Sequence, residues 1–228
     1  NRSNLLLKAV NSVLAQTYKD IEIIIVDDFS SDNTKKVMGD LLSKYPKKIH
    51  TYSFNNPVGA SKAREKGVEI STGKYISFLD DDDEWLPEKL FLQVNALINN
   101  PEIGAVTCWY YRITKKDIIK VKLANDIKDN DIYWSNFLGS FSFVLVKKEF
   151  FNLPKMINTN LKSCQDWDFW IKALTYTSIG IISEYIKIYP ALCSRDSSNL
   201  LWMPPKLPLL IQTMRSPGWT CDSIWSTK

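Results

Sequence analysis

Histidine is nearly absent from this chain: His50 is the only one in 228 residues. Mechanisms that need a histidine base or several histidine metal ligands therefore have little to draw on. Cysteine is scarce too. Cys108, Cys164, Cys193 and Cys221 are far apart, and no pair has zinc-site or redox-motif spacing, so reduced thiols in a cytosolic protein are expected. No apolar run reaches the length of a membrane span, no signal peptide is visible and no internal repeat is found. Charge is also nearly balanced. The net value of +4 does not point to nucleic acid. With 45% apolar and 24% charged residues, the chain has an ordinary globular balance. Its length suits one large domain or two small ones with a real core.

The chain does have a concentration of acid at one point. Tyr75, Ile76, Phe78 and Leu79 surround a single Ser77 and predict a strand covered on both faces. Asp80, Asp81, Asp82 and Asp83 leave its end, followed by Glu84. Carboxylates this close repel, so either some protonate or a cation sits among them. Mg2+ and Mn2+ favour such oxygen ligands, and open α/β sheets bind ligands at the carboxyl ends of their strands. In isolation, a solvated acidic turn before the helix near Pro87 explains the run as well.

The rest of the first half alternates. An amphipathic helix over 1–16 shows Leu6, Val10, Val13 and Leu14 on one face, with Ser3 or Asn4 as cap. A β-branched run over 21–26 predicts a buried strand. The loop Asp27 to Thr34 is dense in turn and cap formers. Asp27 and Asp28 there suit either turn chemistry or contact with a ligand. A helix then stops before Pro46, a strand covers 49–54 and a helix 60–70. The latter carries Arg64, which could reach an anion or lie solvated at the surface. After the acidic strand come a helix from Pro87 to Asn99, with Pro87 suited to its start, and a strand over 103–111. This alternation predicts an α/β layer fold with a largely parallel sheet. Right-handed crossovers place the loops after Val26 and Leu79 on one edge, so that Asp28 and Asp80 to Asp83 could share a cleft.

The second half is less regular. Strands are expected at 118–123, 140–146 and 179–188. A helix opens at Cys164 to Trp170, with Trp167, Trp170, Ile171 and Leu174 on one face and serving as core. Asp166 falls at its N-terminus, where the dipole favours a negative charge or a cap. The tail over 190–228 holds five prolines and no clear periodicity. It could pack on the domain, remain disordered, lie on a membrane or bind a partner, with packing or disorder the first expectations.

Taken in order, several of these segments resemble family 2 glycosyltransferases. They are Asn1-Arg2, Ala9 to Tyr18, Ile25 to Asp32, Asn55-Asn56, Gly59, Ala63-Arg64, Gly67, Gly73 to Ile76 and Phe78 to Asp83. The order and spacing match across residues 1 to roughly 175. The resemblance implies a GT-A fold: a mostly parallel mixed sheet flanked by helices, with a Rossmann-like nucleotide-binding half (1–111) and an acceptor-side, catalytic-base half (112–189). It also implies transfer of a hexosyl or hexosaminyl group from a nucleotide-sugar, with inversion and with Mn2+ or Mg2+. The acceptor would be a glycan or lipid-linked molecule, in the cytoplasm or at the inner face of the membrane.

Residue by residue, the resemblance implies that Asp28 hydrogen-bonds the nucleotide base, typically uracil. Asp80 would contact the ribose or metal region. Asp82 would bind the metal bridging the diphosphate, with Asp80 and Asp83 assisting. Arg64, Asp81 and Arg195 are further donor-binding candidates, Arg195 as a diphosphate contact. Asp166 matches the acidic pair that supplies the catalytic base, and Gln165 stands where the family commonly has Glu. The family usually opens with a strand ending in a Pro-x-Tyr-Asn-like turn. This sequence starts at the Asn of that turn, so that strand is expected to be missing, at a cost to stability and donor affinity. Two other readings use the same residues: a nucleotidyltransferase releasing pyrophosphate, and a non-catalytic nucleotide- or glycan-binding remnant.

Overall fold

This computed structural model describes residues 2–113, 117–123, 129–190 and 209–214, with 129–130, 186–190 and 209–214 described by their backbone alone. The first half runs α1 (Ser3–Leu14), β1 (Ile21–Asp27), α2 (Thr34–Lys44), β2 (Ile49–Ser53), α3 (Ala60–Ile70), β3 (Tyr75–Asp80), β4 (Glu84–Trp85) and α4 (Lys89–Asn99). There follow β5 (Ile103–Ile113), β6 (Ile118–Val121), β7 (Leu145–Lys147), α5 (Gln165–Leu174), β8 (Ser178–Pro190) and β9 (Leu209–Met214). Short 3-10 turns lie at Asp129–Tyr133, Phe141–Phe143 and Lys148–Asn152. Among the described residues, no helix is long and apolar enough to cross a membrane.

The strands form one sheet in the order β2-β1-β9-β3-β7-β5-β8-β4, with β6 on β5. Tracing the pairings, β1, β2, β3, β5 and β8 all point the same way. Most neighbours are nevertheless antiparallel, because β9 separates β1 from β3 and β7 separates β3 from β5. The sheet is thus mixed: the expected parallel pairing survives at β1–β2 and β5–β8, and elsewhere only the common direction of these strands is kept. The loops after β1 and β3 leave from the same edge, as right-handed crossovers require.

Strand alternation divides the core. Ile24, Val26, Ile76 and Phe78 pack with Phe141, Phe143, Phe169 and Trp170 on the face covered by α3 and α5. Ile23, Ile25, Tyr75 and Leu79 meet Leu6, Val10, Met38, Leu90 and Val94 from α1, α2 and α4 on the other. Trp170 is fully buried, and Trp167, Ile171 and Leu174 pack beside it, so this helix face is core as expected.

Some local expectations change. Helix α1 begins at Ser3 with Arg2 as its cap residue and no side-chain cap bond, so neither Ser3 nor Asn4 caps it. Pro87 lies ahead of α4, whose cap residue is Glu88. Its carbonyl accepts the Thr17 N–H at 2.9 Å, which ties it to the end of α1. The strand expected over 140–146 shrinks to β7, because Phe141–Phe143 forms a 3-10 turn. The turn is held by Ser142, whose hydroxyl accepts the Asp80 N–H at 3.0 Å. In the tail, Leu209–Met214 forms a central strand that pairs with both β1 and β3. That run is short and bounded by Pro208 and Pro217, so its periodicity was too brief to read.

Candidate active site

Alternation also decides where the aspartates go. Position 80 continues the parity of Ile76 and Phe78, and Asp80 meets the α3–α5 side. Arg64, from α3, is only 7% exposed. It donates through one nitrogen to Asp80 Oδ1 at 3.0 Å and through the other to Gln165 Oε1 at 2.8 Å. Its guanidinium lies 4.7 Å over the Phe141 ring. Arg64 is therefore not a solvated surface charge. It joins the end of β3 to the start of α5.

Asp166 follows Gln165 in the first turn of α5. It is half-buried, and it accepts its neighbour Trp167's N–H at 2.9 Å. It lies inside the helix rather than at the cap position, which Cys164 occupies. Burial pushes its carboxyl above the ordinary range. The Trp167 N–H and the charge of Arg64 pull it down, and Asp80 adds to the rise. The acidic strand end and the base candidate thus lie within electrostatic reach of each other.

Asp81 continues the opposite parity, that of Ser77 and Leu79, and turns to the α1 side. It is 1% exposed and lies 3.4 Å from Arg2 Nη1. The same nitrogen donates to Asp82 Oδ2 at 2.8 Å. Burial pushes the Asp81 carboxyl up to about 7; Arg2 opposes this, and Asp82 and Asp80 add to it. Asp83 is buried, with its N–H bonded to the Asp80 carbonyl at 3.0 Å.

Asp28, 2% exposed, accepts the N–H groups of Val58 at 2.6 Å and Gly59 at 2.9 Å. Gly59 has φ 90°, a left-handed conformation that favours glycine, and this aims both amides at one carboxylate. Asp27 takes the turn role, accepting the Ser30 N–H at 3.0 Å. Two non-glycine residues with positive φ flank the site: Phe29 at 65° beside Asp28, and Cys164 at 55° before α5. Such conformations cost energy and cluster at ligand sites.

This arrangement can be set beside known proteins. A sequence profile of glycosyl transferase family 2 matches residues 1–153. The chain belongs to that family. An uncharacterized glycosyltransferase of Rickettsia prowazekii is 32% identical over 213 residues, covering 88% of this chain and 65% of the relative. TuaG of Bacillus subtilis, named as a candidate teichuronic acid biosynthesis glycosyltransferase, is 38% identical over 199 residues, covering 83% of this chain and 75% of its own length. The chain thus spans about 65% of the Rickettsia relative. Among solved structures, Staphylococcus aureus TarS 1-349 in complex with UDP superposes with a TM-score of 0.67 at 19% identity, over 83% of this chain and 57% of that one. The Pyrobaculum calidifontis mannosyltransferase PcManGT in complex with GDP-Man and Mn2+ gives 0.64 at 16%, over 86% and 55%. The likeness to these solved structures gives the family 2 chain the GT-A fold.

The site suits a hard divalent cation only in part. Its donors are carboxylate oxygens, and Asp81 Oδ2 is buried without a hydrogen-bond partner. Among the described residues, however, no three ligating side chains converge. Asp80 is held by Arg64, Asp82 by Arg2, and Asp83 is buried. Such a site fits a metal that takes one or two carboxylates from the protein and phosphate oxygens from its ligand. Arg195 lies outside the described residues.

Three further side chains support the site through contacts distant in sequence. Arg2 stands in the sequence only as part of the opening motif, about one helical turn before Leu6, and its reach to Asp81 and Asp82 is a long-range contact. Ser142 anchors the Asp80 amide. Lys89 is fully buried, bonded to Gln93 Oε1 and to Ser77 Oγ at 3.3 Å, with Nζ 4.1 Å over the Trp85 ring. The one polar position in the apolar run of β3 was its signal.

Proposed function

We propose that this chain transfers a hexosyl or hexosaminyl group from a UDP-sugar to a glycan or lipid-linked acceptor, by a single inverting displacement assisted by Mn2+ or Mg2+. The observation that carries this reading is the bridge Asp80–Arg64–Gln165, which brings the acidic strand end beside Asp166. A displacement needs both regions at one centre: one to hold the diphosphate, the other to receive a proton.

In this reading residues 1–111 hold the donor and 112–189 receive the acceptor. Asp28 fixes the loop before α3 through Val58 and Gly59 and would hydrogen-bond the base there. Asp82, with Asp80 or Asp81, would hold the metal. The bound ion would neutralise charge building on the departing diphosphate. Asp166 takes the proton of the acceptor hydroxyl as that oxygen bonds to the anomeric carbon. The bond from this carbon to the diphosphate oxygen breaks, and the nucleoside diphosphate leaves with the electron pair. Arg64 bonds Asp80 and Gln165, and its charge also favours the ionised form of Asp166. Nucleotide-sugars are cytoplasmic, which assigns the reaction to that side, at the inner face of a membrane when the acceptor is lipid-linked.

Calorimetric titration of UDP with and without Mn2+, on the wild type and on Asp82→Asn, tests the donor site. Metal-dependent binding lost in the variant is expected. Binding indifferent to both changes overturns the assignment. Release of pyrophosphate in place of a nucleoside diphosphate would favour nucleotidyl transfer.

A further inference from the structure

A cavity of about 570 Å3 opens beside the site, lined by Tyr110, Lys122, Asp131, Trp134, Asn136 and Phe137, among others. Its position follows from strand register. Ser77 of β3 and Val106 of β5 both lie level with Leu145 of β7. From there both strands run on in the same direction, β3 to Asp80 and β5, through an irregularity at Cys108 and Trp109, to Tyr110. The cavity therefore lies toward the sheet edge where the aspartates emerge, on the second strand over from β3. Its sheet face is that of α5, because the Tyr110 ring stacks on Phe143, 4.4 Å between centroids.

The wall of the cavity is tied to the base helix. Trp167 Nε1 donates to the Ile132 carbonyl, and Trp170 Nε1 donates to the Gly139 carbonyl at 2.9 Å. These two bonds from α5 clasp both ends of the segment between Ile132 and Gly139. Asn136 is fixed in the same segment, with Oδ1 accepting the Gly139 N–H at 3.2 Å. Between the clasps, Trp134 is 86% exposed. A large aromatic ring held out on a pinned segment, over a cavity with an amide, a carboxylate and an ammonium, has the make-up of a carbohydrate subsite. The ring covers the C–H face of a sugar, and the polar groups take its hydroxyls.

We propose that this cavity binds a neutral hexose or N-acetylhexosamine residue of a glycan acceptor, with Trp134 as its stacking platform. The inference rests on the glycosyl-transfer reading above and adds the acceptor class and its place. A sugar seated here lies on the α5 side of the donor edge, from which its hydroxyl reaches toward Asp166.

The test uses NMR of the whole chain with cellobiose and chitobiose as probes at millimolar concentration, alongside UDP titration. At least one disaccharide is expected to shift the Trp134 indole N–H. Trp134→Ala should weaken that disaccharide's binding by about tenfold. Tyr133→Ala, an exposed neighbour outside the lining, should leave it unchanged, and both variants should bind UDP like the wild type. If UDP binds but neither disaccharide perturbs Trp134, the subsite is wrong and the donor reading stands. If the disaccharides shift Trp134 and no UDP binds, the donor reading fails and the subsite survives. Equal losses in Trp134→Ala and Tyr133→Ala would also overturn the assignment.

Discussion

Arg64 reaches Asp80 across sixteen residues of chain, at 3.0 Å, from a position that is almost fully buried. The pair crosses from α3 to the end of β3, and its second arm, to Gln165, extends it to α5. A planar guanidinium presents its donors to the two oxygens as a rigid fork, whereas a lysine ammonium is a point charge on a flexible stem.

Replacing Arg64 should therefore injure both the fold and the reaction. Arg64→Lys keeps the charge but loses the fork, and it should lower kcat by at least about tenfold while the protein stays folded. Arg64→Ala leaves Asp80 and Gln165 without that donor and should also cost roughly 2–4 kcal/mol of stability, below the range for a fully buried pair because Asp80 is part exposed. Urea unfolding and donor turnover measure the two effects. Wild-type turnover in Arg64→Lys would show that charge alone suffices.

The rise in the Asp166 pKa sets a pH dependence. A base acts only when ionised, so transfer should fall as pH drops through its raised pKa. The acid limb should lie above the ordinary carboxylate range. Asp166→Asn should reduce transfer about 10²–10⁴-fold while UDP binding stays within about twofold. A variant retaining both activity and the acid limb would remove Asp166 from the role of base.

Asp81 makes a separate prediction about stability in the absence of metal. Its folded pKa is about 7, against an ordinary 3.8. Below about pH 4 both the folded and unfolded carboxyls are protonated, and the shift costs nothing. Between these values the folded form binds more protons, so stability falls as pH rises. Above about 7 the full cost applies, at most about 4 kcal/mol. Asp81→Asn should therefore gain on the wild type in melting temperature between pH 5 and 8. Parallel pH profiles for the two proteins would contradict this.

If Asp82 holds the metal as proposed, Arg2 would compete with that cation for it. Its guanidinium already neutralises Asp81 and Asp82, so Arg2→Gln should tighten Mn2+ binding measured without nucleotide. Unchanged or weaker binding would mean that the metal does not enter at this pair.

Behind the acidic turn, Gln93 donates to two carbonyls, Val106 at 3.1 Å and Phe143 at 2.7 Å, and accepts from Lys89. Gln93→Leu removes all three bonds inside the core. A loss of about 2–4 kcal/mol in urea unfolding is expected, since each unsatisfied buried group costs roughly 1–3 kcal/mol. A neutral change would show that the network relaxes.

Much of this was legible early because short-range patterns carry it. The β-branched run of β1, the helix over 60–70 and the acidic end of β3 follow from periodicity, caps and turn residues. The roles of single side chains did not. Arg64 reads as one of three positive charges on α3, and it is buried by tertiary packing, with Phe141 against its guanidinium. The segment over 140–146 alternates like a strand, yet Ser142 turns aside to take the Asp80 amide. Periodicity says nothing of such distant partners.

The sequence alone determined the alternation of helices and strands, the direction of the crossover-linked strands, the family and the carboxylates worth watching, because those depend on neighbours a few residues away and on chain handedness. Tertiary structure decided the rest. It sent Asp80 toward Arg64 and Asp81 toward Arg2, closed the gap from β3 to α5, set β9 between β1 and β3, and pinned Trp134 at the rim of a cavity. These are contacts between residues from sixteen to about 190 positions apart. Burial, charge and unpaired backbone groups select them together, and none of these can be read from a local stretch of chain.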